Sequence, residues 1–298
     1  MFVVTYRKLF YIFSIIIIVA SFTAIGMWGF NLGIDFKGGS ILEVEYSQAL
    51  PDETALTTDL IPLHLDASVR ATGEKGYLIR MKEIDQTEKA SLLSTLNNFG
   101  SATVKRFDSI GPVLGVEALR KAIFSIILVI LAIVLFISYA FRKVSEPVSS
   151  WKYGIVAIIA LIHDVIIPTG VFVALGHFAG YEIDTLFITA LLVVLGFSVH
   201  DTIVVFDRVR ENLKDAPAKK SFDVIVGESI SQTFTRSINT SLTTLLALIV
   251  LYFVGGESTQ HFSLALIIGI FAGTYSSIFI GSPLLVTIWK RQGKKGKR

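Results

Sequence analysis

Two charged side chains, Asp164 and Asp201, interrupt long apolar runs, and a third, Arg236, stands at the start of another. A charge at the centre of a bilayer costs at least about 2.5–3.5 kcal/mol on the mildest scale, so each is a candidate functional position. Ser198, Asp201 and Thr202 stand at i, i+3 and i+4, on one face of a helix whose opposite face is apolar. Gln232, Arg236, Asn239, Thr240, Thr243 and Thr244 form a second stripe, at i, i+4, i+7, i+8, i+11 and i+12. Such a stripe cannot lie against lipid tails; it needs another helix or a wet cavity. The simplest pairing sets it against the Asp201 face. A carboxylate whose charge depends on burial and on a neighbouring cation can carry a proton. Asp201, Arg236, Asp164 and His200 are therefore the candidate proton-coupling residues. The residue types leave other roles open. Arg236 lies near a helix end and can snorkel to the headgroups. Asp164 can titrate or stay a neutral acid bonded to a neighbouring helix. His163 and His200 fit a proton relay or packed, hydrogen-bonded histidines.

Other chemistries are excluded. The chain has no Cys, so a thiol nucleophile, a disulfide framework and Cys-ligated metal sites are ruled out. Ser198 and His200 are two residues apart on a helix and point about 200° away from each other, so they cannot form a hydrolytic dyad. No H-E-x-x-H occurs. The reading is of a non-enzyme with no metal and no cofactor.

The elements that must hold these residues are membrane helices. The chain has 298 residues, 52% hydrophobic and only 17% charged, and its mean hydropathy is +0.66. Soluble domains carry about a quarter charged residues. A span needs about 20 apolar residues, and six runs qualify. They lie between Lys8 and Asp35, between Lys121 and Arg142, after Lys152 to about Tyr181, from Thr185 to Phe206, from Ser237 to Gly256, and within Ser258–Trp289. Short loops with Lys or Arg alternate with loops that have none, 176–184 and 255–262. By the positive-inside rule both termini are cytoplasmic, and the long segment after span 1 is outside. Span 1 reads as an uncleaved signal anchor, because no A-x-A site follows its long apolar run.

The resulting organisation is 1–34, cytoplasmic start and span 1; 35–118, an extracytoplasmic domain; 119–289, spans 2 to 6; 290–298, a basic cytoplasmic tail. Within the outer domain, residues 41–46 alternate with period two and read as a strand. Asp52 to Leu60 reads as a short helix with an acidic first turn. Residues 67–71 and 77–82 flank the turn-rich stretch 72–76, as in a hairpin. Asp85 and Glu88 form a capping box for a helix running to about Asn98, closed by Gly100. A last strand follows at 102–107. This order, βαββαβ, is the ferredoxin-like pattern.

Gly269, Gly273, Ser277 and Gly281, four small residues spaced by four, mark a face for close helix packing. Phe222, Val226, Ile230 and Phe234 suggest a short amphipathic helix at the cytoplasmic interface. The tail from Lys290 fits a contact with anionic lipid. Nucleic-acid binding is not expected, for lack of a folded basic domain.

Four motifs give a resemblance that covers nearly the whole chain. Gly33-Ile34-Asp35-Phe36-Lys37-Gly38-Gly39 resembles the D-F-x-G-G signature of the SecD/SecF protein-export family, whose signature turn would be Asp35, Phe36, Gly38 and Gly39. Ile110-Gly111-Pro112-Val113-Leu114-Gly115 matches a second element. The run from Asp201 to Asn212 is similar to the family's span-4 motif, and Arg236-Ser237-Ile238-Asn239-Thr240-Ser241 to its span-5 motif. His200 departs from the Asn expected in many members. The small outer region resembles the SecF branch, since that of SecD is much larger. The resemblance implies an RND-type helical membrane protein in the inner membrane of a prokaryote. It implies SecD as partner, the SecYEG channel, YajC-like or insertase subunits, and an exported polypeptide as cargo. It also implies that Asp201 and Arg236 are the proton-linked pair that draws on the proton motive force. The competing readings are a proton-coupled exporter of small molecules or lipids from the same superfamily, and an inert scaffold.

Overall fold

The computed structural model describes residues 2–47, 50–142, 148–216 and 220–295. Of the basic groups used to orient the spans, Lys143, Lys219, Lys297 and Arg298 lie outside the described residues.

Among the described residues, six helices are long and apolar enough to cross a membrane. Span 1 is Arg7–Trp28, span 2 Pro112–Ala140, span 3 Ser150–Ala179, span 4 Thr185–Asp215 and span 5 Phe222–Val254. Span 6 runs Glu257–Ser276, widens into a π turn at Ser277–Gly281 and continues as Ser282–Lys295. The chain is therefore a multi-pass membrane protein.

Two helices differ from the sequence expectation at their starts. Span 2 begins at Pro112, not after Lys121. Proline suits a first helical position because its missing N–H has no partner there anyway. Lys121 is accommodated by an ion pair to Glu117 one turn back, at 2.8 Å. Span 5 begins at Phe222, so the expected separate amphipathic helix is the first third of span 5. Phe222, Val226 and Ile230 are buried in an apolar cluster with Val4, Tyr153, Phe206 and Leu285. Phe234 turns outward. The amphipathic periodicity marks a helix packed on helices, not one lying on a membrane surface.

The chain divides into two compact units. One comprises the residues up to Asn31, Phe124–Tyr181 and everything from Leu186 on; the other is Leu32–Ile123 together with Glu182–Thr185. Among the described residues the second unit contains four strands: β1 Gly39–Tyr46, β2 Ser68–Thr72, β3 Gly76–Met81 and β4 Ala102–Ile110. Their order across the sheet is β2-β3-β1-β4, and every pairing is antiparallel. The local signals for its helices are used as the sequence suggests. Asp52 caps Glu53–Leu60 by accepting from the Ala55 N–H at 3.0 Å. Asp85 and Glu88 form the reciprocal box at the head of Gln86–Asn97. The core beneath the sheet is Leu42, Val44, Leu56, Ile79, Leu92 and Leu96, all fully enclosed. β4 extends three residues past the expected end, and Gly39 at the start of β1 pairs with Ile110.

Candidate functional site in the membrane helices

Asp164 is the hub of the membrane unit, with no exposed surface. Its Oδ2 accepts from Ser198 Oγ of span 4 and, at 2.8 Å, from Ser276 Oγ of span 6. Its Oδ1 lies 2.8 Å from Nδ1 of the adjacent His163. One carboxylate thus joins spans 3, 4 and 6, and its desolvation is offset by three polar partners. Pro168 follows one turn later inside span 3 and removes the N–H that would bond the Asp164 carbonyl. His163 is as enclosed as Asp164, and its ring stacks on Tyr275 with centroids 6.0 Å apart.

The small-residue row explains how these groups come so close. A Cβ on Gly269 would stand 2.3 Å from Val194, and one on Gly273 would stand 2.9 Å from Ser198. Only glycine admits span 4 at this distance. Ser277 continues the contact, bonding Thr202 Oγ1 at 2.8 Å and the Ser198 carbonyl at 3.2 Å. At the end of the π turn, Gly281 faces Val156 of span 3 instead. Ser276 and Ser282, both fully buried, were not singled out from the sequence. Serines in an apolar span were the available signal.

Asp201 is 2% exposed, and its Oδ2 has no hydrogen-bond partner. Ser237 Oγ on span 5 is likewise buried without a close partner, and it is the hydroxyl that can donate to the Asp201 carboxylate. Ser237, His200 and Arg236 are the polar groups around the Asp201 carboxylate. Arg236 is exposed, as is His200, and no direct ion pair joins Arg236 to Asp201 among the described residues. The expected facing of the span-5 stripe is therefore corrected. Gln232, Arg236, Asn239 and Thr243 lie on the exposed side of span 5, with Thr240 half-buried between them. The polar residues that point into the bundle are Ser229, Thr233, Ser237 and Ser241, one position along at each turn. Ser241 bonds Thr274 of span 6 at 2.6 Å. At the end of the stripe Gln232 is tied to span 4, because Asn212 Nδ2 donates to Gln232 Oε1 at 2.9 Å and to Ser229 Oγ at 2.8 Å. Arg236 thus stands in an exposed polar row with Gln232, Asn239 and Thr243, one residue along from the buried row.

The signature turn lies in the other unit. Gly38 and Gly39 have φ of 79° and 131°, which side chains rarely adopt. A Cβ on Gly38 would stand 2.7 Å from Pro112, and one on Gly115 would stand 2.9 Å from the Gly38 nitrogen. The D-F-x-G-G turn and the G-P-x-x-G start of span 2 are thus two halves of one close contact, which accounts for both motifs. Phe36 is buried at 3% exposure. Asp35 Oδ2 accepts from the Thr185 N–H at 2.9 Å, at the first residue of span 4.

Comparison with known proteins agrees with this geometry. Residues 90–291 match the family model of the SecD/SecF protein-export membrane protein C-terminal region, and residues 25–50 match that of the SecD/SecF GG motif. The protein translocase subunit SecF of Thermobaculum terrenum is 43% identical over 97% of this chain and 94% of its own length. That of Anaerolinea thermophila is 41% identical over 95% and 92%. The crystal structure of SecDF from Thermus thermophilus, a translocon-associated membrane protein, superposes with a TM-score of 0.83 at 31% identity. The match covers 97% of this chain but 38% of that one, so the present chain corresponds to little more than a third of the solved chain. With both family models, near-full-length relatives and the motif contacts in agreement, the chain belongs to the SecD/SecF family of protein-export membrane proteins, as a translocase subunit of the SecF type.

Proposed function

We propose that this chain works with SecD beside the SecYEG channel, uses the proton motive force, and helps draw exported polypeptide outward late in translocation. Asp201 takes up and releases the proton, and Arg236 is its counter-charge. The protein lies in the cytoplasmic membrane with both termini inside, as the short-loop charges require. Its outer domain is ferredoxin-like, with βαββαβ order and a β2-β3-β1-β4 sheet. The observation that carries the reading is the setting of Asp201: a 2% exposed carboxylate whose polar neighbours are Ser237, His200 and Arg236, the arginine being paired with no carboxylate among the described residues. Burial favours the protonated acid and a nearby cation favours the anion. A small relative movement of spans 4 and 5 therefore changes whether Asp201 holds its proton. The exposed stripe of span 5, with Arg236 in it, is the surface we assign to SecD.

The test is Asp201→Asn, which keeps size and hydrogen-bonding capacity but cannot cycle a proton. In SecD-containing membrane vesicles with a proton gradient as the only late energy source, export should fall at least tenfold, with expression and SecD association normal. Export at the native rate would falsify the proton role and favour the scaffold. Arg236→Lys should impair less than Arg236→Ala, because a charge remains while the guanidinium fork is lost. One observation favours the exporter reading: an apolar cavity of about 330 Å³ lined by Phe13, Ile17, His163, Leu245, Phe271 and Tyr275. It predicts that a hydrophobic dye bound there is displaced by small amphiphiles and not by exported polypeptide.

A further inference from the structure

The five-residue connection between spans 3 and 4 is held in an unusual way. Its last three residues, together with Thr185 at the start of span 4, belong to the compact unit of the four-stranded domain. Three independent attachments keep it there. The first is backbone: Leu32 and Ile183 form a parallel bridge, and the Gly33 N–H donates to the Ile183 carbonyl at 3.0 Å. The second is a cap. Asp35 accepts from the N–H of Thr185, so the first turn of span 4 is completed by a side chain 150 positions earlier. A carboxylate there also complements the positive end of the helix dipole. The third is an ion pair, Arg80 Nε to Glu182 Oε1 at 2.9 Å, with both side chains less than one-fifth exposed. Arg80 lies on β3, which is bonded on both sides: it pairs with Ile41 of β1 and Ser68 of β2. Burial pushes the Glu182 carboxyl above the usual range, with Asp184 adding to the rise; Arg80 and Lys37 oppose it. Gly33 gives the approach its closeness, since a Cβ there would stand 3.2 Å from Asp184 Cβ.

We propose that 182–185 is a strap that couples span 4 to the outer domain. Asp35 fixes the start of the helix that carries Asp201, and Arg80 ties the same loop to an interior strand of the sheet. A displacement of span 4 is then delivered to β3 instead of being absorbed by a slack connection. Asp35, Arg80 and Glu182 are positioning residues: they touch neither the proton nor the cargo. This inference rests on the proton-driven reading of Asp201 and adds the route by which its work leaves the membrane.

The experiment uses the full chain with SecD in membrane vesicles and reads proton flux and export separately. Arg80→Glu and Glu182→Arg should each lower export about tenfold while proton flux persists, and the double reversal should restore at least half of the export. A merely structural role would lose flux and export together. The chain has no Cys, so Leu32→Cys with Ile183→Cys gives a clean second arm. The disulfide should form readily, and export should be the same oxidised or reduced, because the strap stays closed through the cycle. Should a charge reversal lower protein amount, the same reversal placed in the oxidised cross-linked protein should export normally, the disulfide replacing the ion pair. Native export in both single reversals, arrest on oxidation, or flux lost in step with export would each overturn the strap. Failure of the underlying reading looks different: Asp201→Asn would then export normally.

Discussion

In the four-stranded domain the fully enclosed residues include Leu42, Val44, Leu56, Ile79, Leu92 and Leu96. In the membrane unit Asp164, Ser263, Ser276, Ser277 and Ser282 are enclosed just as fully, while Ile12, Ile15, Ile16 and Phe271 are each more than half exposed. The two regions face different solvents, and this inverts which residues do the holding. Around the domain, water makes burial of apolar surface favourable, at about 25 cal/mol per Å². Between membrane helices that gain is missing, because lipid is as apolar as leucine. What remains is close packing at Gly269 and Gly273 and the bonds through Asp164 and Ser241. The membrane unit does have an apolar cluster, around Tyr153, Phe206 and Leu285, where span 5 begins and span 6 ends.

The largest effect that tests this contrast comes from truncating matched aliphatic residues in the two regions. Leu42→Ala should destabilise the domain by about 2–5 kcal/mol, the usual cost of a buried leucine truncated to alanine. It should appear as faster proteolysis within residues 39–110 of the full chain. Ile16→Ala, at a position 61% exposed, should leave the melting temperature of the membrane unit unchanged. Equal losses at both sites would break the comparison. Next comes close packing. Gly269→Ala places a methyl group 2.3 Å from Val194 and should cost about 1–3 kcal/mol, as overpacking does. Thermal unfolding in mild detergent reads it, and a neutral result would mean that spans 4 and 6 have room to part. The smallest effect belongs to a single polar bond. Ser241→Ala removes the contact to Thr274 and should cost about 0.6 kcal/mol, the average for such bonds between membrane helices. A loss several times larger would show that the internal polar groups, not the glycines, dominate.

How much of this could be read in the sequence follows from how local each signal is. The Asp52 cap, the Asp85–Glu88 box and the hairpin around Gly73 are decided within a few residues, and they stand where the sequence puts them. Six apolar runs give six helices for the same reason. The start of span 5 was misplaced because the amphipathic pattern of 222–234 and the apolar pattern after it are parts of one helix. The facing of its stripe was not legible. Residues 236 and 237 are both polar, and only the packing of neighbouring helices decides that Ser237 goes in and Arg236 stays out. Asp164 was recognisable as a buried acid, but its partners are 34 and 112 positions away. The grip of Asp35 on Thr185 had no sequence signal, since nothing local links residues 150 apart.

That same grip bears on how the molecule is made. Asp35, Gly38, the sheet with Arg80, and the Gly115 turn all precede Glu182–Thr185 in the chain. A ribosome therefore makes every residue that receives this loop before the loop itself is synthesised. When the polypeptide turns back after span 3, the partners of Ile183 and Thr185 have already been synthesised, and span 4 starts its first turn beside the Asp35 carboxylate. The first residue of the helix that bears Asp201 is in this sense received by groups laid down before that helix exists.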